Sequence, residues 1–305
     1  MIMKKTKWIL AALSACLFMG LTISSCKKKT TTTADEETTT AVDNANAEHM
    51  VSDLTEMAAQ ASDGSASLTS YRIPDSDQIL GLSCASVAYV AGTKIITITF
   101  NSSAPCLDGR TRSGTITIDY SASTGGAVHY RDPGFSCTVT STNYVVDGNQ
   151  VNIINKTVQN STTQGFNPAT TNLTWSVNAH IQIIKAGGGT IDWSCIRTKT
   201  LLNTSDTSVY HGSAIPISWW KARVGILGSA SGTAATGVTF NATIASQLVR
   251  DFGGCNISGK RPIIQGVLDF TPSGHPVRII DYGNGTCDLI ATITINGVTH
   301  SITLN

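Results

Sequence analysis

From about residue 80 to the end, the chain consists of short runs in which apolar and polar residues alternate. In GTITIDY, Ile116, Ile118 and Tyr120 fall on one face of an extended strand, whereas Asp119 and the threonines fall on the other. β-Branched residues dominate these runs, and turn segments such as STGG, VDGN, AGGG and INGV separate them. The pattern predicts an antiparallel all-β body of about a dozen strands, either a β-sandwich or a curled meander.

A segment before the β body has helical rather than strand periodicity. In DNANAEHMVSDLTEMAAQASDG, apolar residues recur at three- and four-residue steps. Asp43 or Asn44 can cap the start of this helix, and Gly64 can end it. The sequence therefore predicts one amphipathic helix over 44–64, which most simply covers one end of the sheet.

The N-terminus has the pattern of an export signal. Three lysines precede the apolar run WILAALSACLFMGLTI, which has the length of a signal-peptide core and is short for a membrane span. The run ends in Ile23-Ser24-Ser25-Cys26, which resembles the bacterial lipobox, whose cysteine is acylated and becomes the first residue of the mature protein. The alternative is an ordinary secretory signal followed by a chance cysteine. We predict a signal peptide over 1–25 and a lipid anchor, such as palmitate, on Cys26.

The segment over 26–43 is polar, repetitive and devoid of aromatic residues. Such a segment cannot bury enough apolar surface to fold, so we predict a disordered tether between the anchor and the helix. No second apolar run of spanning length follows, and we therefore expect the mature protein to be anchored in a membrane rather than to span it. The expected location is the cell envelope, at the outer membrane, on its periplasmic or its surface face.

The charge balance limits the partners of the mature chain. Removal of the signal takes three of the 21 basic residues, which leaves 18 basic against 20 acidic side chains. Because this balance is nearly neutral, it implies neither nucleic acid nor an anionic membrane surface as a partner. The membrane is instead expected to be a partner through the acyl chains on Cys26.

The sequence contains few candidates for catalysis. No glutamate follows Glu56, so the β body over 80–305 has only aspartates as carboxylates, whereas a glycosidase needs two carboxyl groups at a set separation, one with a raised pKa. The motifs G-x-S-x-G and H-E-x-x-H are absent from the sequence. We therefore predict no catalytic residue and no cofactor, and we expect a non-enzymatic binding or structural role. The alternative is a hydrolase of an envelope polysaccharide that uses aspartates as acid and base.

Six cysteines follow Cys26, and an even number in an exported chain suggests disulfide bonds. Two segments, IITITFNSSAPCLDGRTRSGTITI and VRIIDYGNGTCDLIATITI, share the order of a strand, an aromatic residue, a polar turn, a cysteine and a Thr/Ile strand. Each segment also follows a lone cysteine. This parallel predicts the pairs Cys84–Cys106 and Cys255–Cys287, and it suggests two related halves within the β body.

The pairing of Cys137 and Cys195 stays open on this argument. None of the six cysteines forms a C-x-x-C pair, which argues against a zinc site. The stretch DYGNGTCD could hold calcium, but it lacks the D-x-[DN]-x-[DN]-G spacing of an EF-hand loop. Its glycines and asparagine suit a tight turn, so we predict a disulfide-stapled hairpin and no metal site.

Two groups of residues are candidates for binding. Arg110 and Arg112 fall on one face of an extended segment and could hold a carboxylate or phosphate, or else form an ion pair with Asp108. In Trp219-Trp220, adjacent side chains on a strand point to opposite faces, so one indole could be an exposed platform for sugar rings or for a protein. The alternative is that both indoles are buried. We expect the partner to be a glycan or another envelope protein.

Several segments together resemble one group of proteins. The lipobox, the helix beginning DNANAE, the segments CLDGRTRSGTITIDY and GSASGT, and the C-terminal stretch from FTPSGHPVRII to THSITL look like those of uncharacterised Bacteroidota-type lipoproteins. The most specific parts are CLDGRTRSG and DYGNGTCD. The resemblance implies an exported lipoprotein of that lineage, but it implies no activity and transfers no catalytic residue.

Overall fold

The computed structural model describes most of the chain after residue 34. The described residues are Asp35, 37–63, Leu80, 84–90, 92–101, 104–163, 172–202, 222–257 and 260–304. The signal peptide over 1–25, the lipobox ending at Cys26, and Trp219 and Trp220 lie outside these ranges, so what the sequence indicates for them stays a prediction.

Thirteen antiparallel strands form one open sheet within the described ranges, and each strand pairs only with its neighbours in the chain. The strands are β1 (Ala85–Val90), β2 (Ile95–Phe100), β3 (Arg112–Asp119), β4 (Ser136–Val146), β5 (Asn149–Asn160), β6 (Thr174–Ile184), β7 (Thr190–Leu201), β8 (Arg223–Thr233), β9 (Thr239–Asp251), β10 (Ile263–Pro272), β11 (Arg278–Asn284), β12 (Ile290–Ile295) and β13 (Val298–Thr303). This architecture confirms the predicted antiparallel all-β body. Because all the strands belong to a single sheet, it is the meander and not the sandwich.

The predicted alternation decides which side chains form the core. In β2, Ile96 and Ile98 are fully buried, whereas Thr99 is exposed on the opposite face. Thr97 pairs across the sheet with Thr117, and similar rungs of threonine continue on the outer face of the neighbouring strands. The inner face is therefore mostly apolar and the outer face mostly hydroxylated, as a half-solvated sheet requires.

Two glycines at bulges allow neighbouring backbones to approach closely. Gly114 has a φ of +87°, and a Cβ atom there would lie 2.1 Å from the carbonyl oxygen of Asn143. Gly228 has a φ of +120°, and a Cβ atom there would lie 2.1 Å from the carbonyl oxygen of Ile196. Both glycines lie where the register between adjacent strands shifts. Bulges of this kind bend a sheet, which helps this one to curl.

Helix α1 (Thr39–Asp63) begins at Thr39 rather than at residue 44. Glu37 caps it, because its Oε1 accepts hydrogen bonds from the backbone N–H of Thr40 at 2.8 Å and from its hydroxyl at 3.2 Å. Thr40 and Ala41 are fully buried, so tertiary packing holds the first turn in a helix although threonine is a weak helix former. The predicted tether over 26–43 is therefore too long at its C-terminal end.

The helix is enclosed by the sheet instead of covering one end of it. Every side chain over 51–62 is buried. In the first half of the helix, apart from its exposed first residue, only one stripe is half-buried, and it comprises Val42, Ala45, Asn46 and His49. A helix buried on nearly all sides must be apolar all round or have polar partners for its polar side chains. Helix α1 has polar partners.

The structure joins the two cysteine pairs that the sequence predicts. Cys84 and Cys106 are disulfide-bonded with a Cα–Cα distance of 5.0 Å, and Cys255 and Cys287 with one of 5.2 Å. The first disulfide connects the two segments that flank the β1–β2 hairpin. The second connects the β9–β10 loop to the β11–β12 loop.

The stretch DYGNGTCD completes β11 and turns the chain toward β12. Asp281 Oδ1 accepts a hydrogen bond from the N–H of Gly283 at 2.8 Å, and Gly283 has a φ of +88°. Asp288 Oδ1 accepts one from the N–H of Ile290 at 2.9 Å. The two carboxylates thus stabilise the turn, as in the predicted stapled hairpin. Among the described residues, no three His, Cys, Asp or Glu side chains are grouped so as to hold a metal ion.

Candidate functional site

Acidic side chains of α1 form ion pairs with cations of the surrounding strands and turns. Glu48 Oε2 lies 2.5 Å from Arg197 Nη2 on β7. Glu56 Oε1 lies 2.6 Å from Arg250 Nη1 on β9. Asp43 pairs with Lys185 at 2.9 Å, and Asp53 pairs with Arg110 at 3.1 Å and with Arg112 at 3.6 Å. All four carboxylates of these pairs are buried, so the helix is an acidic insert in a cationic sheet interior.

Neutral polar groups of the helix are paired in the same way. Asn44 Oδ1 accepts a hydrogen bond from Trp193 Nε1 at 2.9 Å. Thr55 Oγ1 accepts one from Lys156 Nζ at 2.8 Å. Since an unpaired buried charge costs several kcal/mol, this matching is what allows a polar helix to be enclosed. It also fixes the position of the helix along the sheet.

Sequence reasoning missed this interior, although one signal for it exists. In SCIRTKTL of β7, the alternation that buries Cys195 and Leu201 also directs Arg197 and Lys199 inward. Cations at the inward positions of a strand indicate that acidic groups lie opposite them. The glutamates that appeared to lie outside the β body, among them Glu48, supply those groups.

The two arginines predicted as an anion-binding pair are bound to carboxylates of the protein itself. Arg112 is fully buried and donates two hydrogen bonds to the carboxylate of Asp108, at 2.7 and 2.6 Å. Arg110 donates through Nε to Asp147 at 2.8 Å and through Nη1 to Asp53 at 3.1 Å. The Asp108 alternative is therefore the arrangement found for Arg112. Arg110, whose side chain is 18% exposed, also lines a cavity.

The two remaining cysteines, Cys137 and Cys195, are buried free thiols on the inner face. Burial raises the pKa of Cys137 to about 12 and that of Cys195 to about 11. Thiols with such pKa values are almost entirely protonated at neutral pH and are poor nucleophiles. These residues consequently act as core side chains.

Three cavities meet at His49 and Lys260 beside the half-buried stripe of α1. The largest of the three has a volume of about 260 Å³ and a mixed lining, in which Met50, Ile183 and Ile191 accompany the polar side chains Asn46, His49, Arg110, Asp147, Asn149, Lys185 and Lys260. The second is a mostly apolar cleft of about 50 Å³ near Tyr282 and Leu289. The third is a charged crevice of about 10 Å³ that reaches Asp53 and Glu56. We call the region around Asn46, His49 and Lys260 the mouth.

The charged crevice contains carboxyl groups with opposite pKa shifts. Burial raises the pKa of Glu56 and outweighs the attraction of Arg250. Burial also acts to raise the pKa of Asp53, but His49 and the nearby guanidinium groups outweigh it and the pKa is lowered. Such a pair can divide the roles of general acid and base. However, arginine side chains already bind both carboxylates, and 10 Å³ holds about one water and no substrate.

His49 is neutral at physiological pH because burial lowers its pKa to about 4. Its Nε2 lies 3.4 Å from Asp53 Oδ2. The imidazole therefore contributes hydrogen-bonding capacity to the mouth and no positive charge.

Lys260 differs from the other cations of this region. It is half-buried, it lines all three cavities, and its ammonium forms no ion pair or hydrogen bond with any residue in the described ranges. Asn46 likewise forms no side-chain hydrogen bond to a described residue. The mouth therefore presents a positive charge and an amide that can bind a ligand.

Comparison with protein-family models, with curated proteins and with solved structures finds no match for this chain. Within the described ranges, no helix is both long enough and apolar enough to cross a membrane. The features of this chain that indicate a function are therefore its sequence motifs and the chemistry of the mouth.

Proposed function

We propose that this protein is a lipid-anchored cell-envelope protein that binds a glycan or an envelope protein without catalysing a reaction, and that the mouth is its binding site. The binding role is supported by one observation, namely which charged groups at the mouth already have a partner within the protein and which do not. The carboxylates that could perform acid–base chemistry are held by guanidinium groups, whereas the Lys260 ammonium has no partner among the described residues.

The proposed anchor rests on the sequence. Ile23-Ser24-Ser25-Cys26 follows a basic segment and an apolar run, in the order of a lipoprotein signal. Each buried methylene of an acyl chain contributes about 0.8 kcal/mol, so two or more chains on Cys26 hold a protein firmly. The resemblance to Bacteroidota-type lipoproteins supports the same placement at the outer membrane.

Substitution of the predicted acylation site tests the anchor. In cells fed an alkyne-tagged fatty acid, the parent protein should carry the label and fractionate with membranes. The Cys26→Ala variant should lose the label and be released in soluble form or remain uncleaved. Cys16→Ala, which changes the other cysteine of the N-terminal segment, is the matched control and should be labelled as the parent is. A labelled Cys26→Ala protein would refute the anchor.

The absence of catalysis is tested separately. Purified full-length protein should release no reducing ends from envelope polysaccharide, while the same preparation should retain a glycan or an envelope protein in a capture assay. Release that is abolished by Asp53→Asn and unaffected by Asp269→Asn, a change on the outer face of β10, would establish the hydrolase instead.

A further inference from the structure

The charge at the mouth is unbalanced. Arg110 is paired with Asp147 and Asp53, and Lys185 is paired with Asp43. Each of these cations is therefore compensated by carboxylates of the protein. Lys260 is half-buried beside these cations, but no carboxylate among the described residues compensates its charge. An anionic group bound there would be attracted by a full positive charge in surroundings less polar than water.

The size and the lining of the main cavity restrict what that anion can be. The cavity of about 260 Å³ lies near the lower limit for small-molecule sites, so it suits one small unit rather than a chain. Its wall combines the Asn46 amide with His49 and charged side chains, and its apolar part is formed by Met50, Ile183 and Ile191. The polar groups can donate to and accept from hydroxyl groups, which an apolar ligand would leave unsatisfied.

The neighbouring apolar cleft does not favour a lipid. Its volume is about 50 Å³, which is about one third of the engineered cavity of 150 Å³ that holds a single benzene. An acyl chain therefore has no room beside Lys260. A ligand with one anionic group and several hydroxyls fits the mouth better than an amphiphile does.

On the basis of the binding role proposed above, we propose that the mouth binds an acidic sugar unit of an envelope glycan, with the sugar carboxylate on the Lys260 ammonium and sugar hydroxyls on Asn46 and His49. This inference specifies the ligand class of the proposed binding site. It requires a carboxylate and a hydroxylated ring in the same molecule.

Three small probes separate these requirements. Glucuronate supplies both the carboxylate and the ring, glucose supplies the ring alone, and propionate supplies the carboxylate alone. The full-length protein in detergent should give saturation-transfer NMR signals and a saturable titration with glucuronate. Glucose and propionate should each bind at least tenfold more weakly. Equal binding of propionate and glucuronate, or of glucose and glucuronate, would overturn the proposal.

Variants locate the site. Lys260→Met keeps most of the apolar stem and removes the charge, so it should weaken glucuronate binding roughly 10- to 100-fold. Lys94→Met is the matched control, because Lys94 also lacks a side-chain ion pair with any described residue and lines none of the three cavities. It should leave the titration unchanged. Unchanged binding by Lys260→Met, or equal losses in both variants, would overturn the assignment.

The outcome can be separated from that of the proposed function. If no probe binds but labelling and capture succeed, the ligand class is wrong and the anchored binding protein stands. If labelling of Cys26 fails but glucuronate binds through Lys260, the anchor is wrong and the mouth stands.

Discussion

Replacement of Glu48 with Leu should be among the most destabilising single changes in the helix. The substitution removes the carboxylate that binds the guanidinium of Arg197, whose side chain is 1% exposed. Arginine cannot release its proton at accessible pH, so the charge would stay buried without a partner. Breaking a buried pair in this way costs about 3–5 kcal/mol.

The reverse substitution should cost less. Arg197→Met leaves Glu48 buried and unpaired, but a carboxyl group can take up a proton and become neutral. When both changes are combined, two apolar side chains replace the pair, and such replacements are often neutral or stabilising. We therefore expect the double variant to lose less stability than Glu48→Leu alone.

Guanidinium chloride unfolding, followed by both tryptophan fluorescence and far-UV circular dichroism, measures these differences provided that the two transitions coincide. Asp192→Asn is the control, because it breaks the outer-face contact with His180, where the side chains are 38% and 39% exposed. It should cost less than about 1 kcal/mol. If the double variant loses the sum of the two single losses, the pair has no coupling and the reasoning fails.

Three further outcomes are expected in the same assay. Burial lowers the pKa of Lys156 to about 7 from an ordinary 10.5, so between these pH values the unfolded chain binds a proton that the folded protein has released. Stability should therefore rise with pH from about 7 to about 9, with at most about 1.4 kcal/mol per pH unit from this lysine, and Lys156→Met should reduce the slope. Above the ordinary thiol pKa of 9.0, the unfolded chain releases protons that Cys137 and Cys195 keep in the folded protein, which opposes the rise. An equal slope in the variant would contradict the assignment. Cys255→Ser removes a disulfide between residues 32 positions apart and should lower the free energy of unfolding by about 3–4 kcal/mol. If the difference persists when parent and variant are both reduced, the disulfide is not its cause. Gly114→Ala forces a Cβ against a carbonyl oxygen, so it should lower the free energy of unfolding several times more than Gly187→Ala, where nothing lies within 4 Å of the added Cβ. Similar unfolding midpoints for the two variants would disprove the close approach at Gly114.

Alternation in the sequence was enough to predict the sheet, because a period of two fixes both the strand and its buried face. In β2 and β3, the isoleucines that the pattern assigns to one face, such as Ile96 and Ile116, are the ones in the core. The repeated order of strand, turn and cysteine was enough to predict the two disulfide pairs. Neither signal depends on contacts between segments that are distant in sequence.

The position of the helix could not be obtained in the same way. Periodicity indicates which side of a helix is apolar, but not what surrounds its other side. The partners of its acidic residues lie far along the chain, with Arg197 149 residues after Glu48 and Arg250 194 residues after Glu56. A local pattern cannot reveal pairs of that separation.

The candidate site was predicted only in part for the same reason. Arg110 and Arg112 stood out because they lie close together and near Asp108 in the sequence, and most of their charge proved to serve the interior. The mouth combines residues of the helix with Lys260 of a distant loop. A lone lysine outside any motif gives no sign of such a role.

The order of the segments along the chain has a consequence for how the protein folds during synthesis. The helix emerges from the ribosome before any strand that will enclose it. Arg278 is fully buried and binds Asp35, 243 residues earlier, so the acidic segment just before the helix is neutralised only after nearly the whole polypeptide has been synthesised. A chain cut short before that arginine would leave Asp35 and Glu37 without their guanidinium partner, so this early segment can reach its final ion pairing only when the last hairpins have been synthesised.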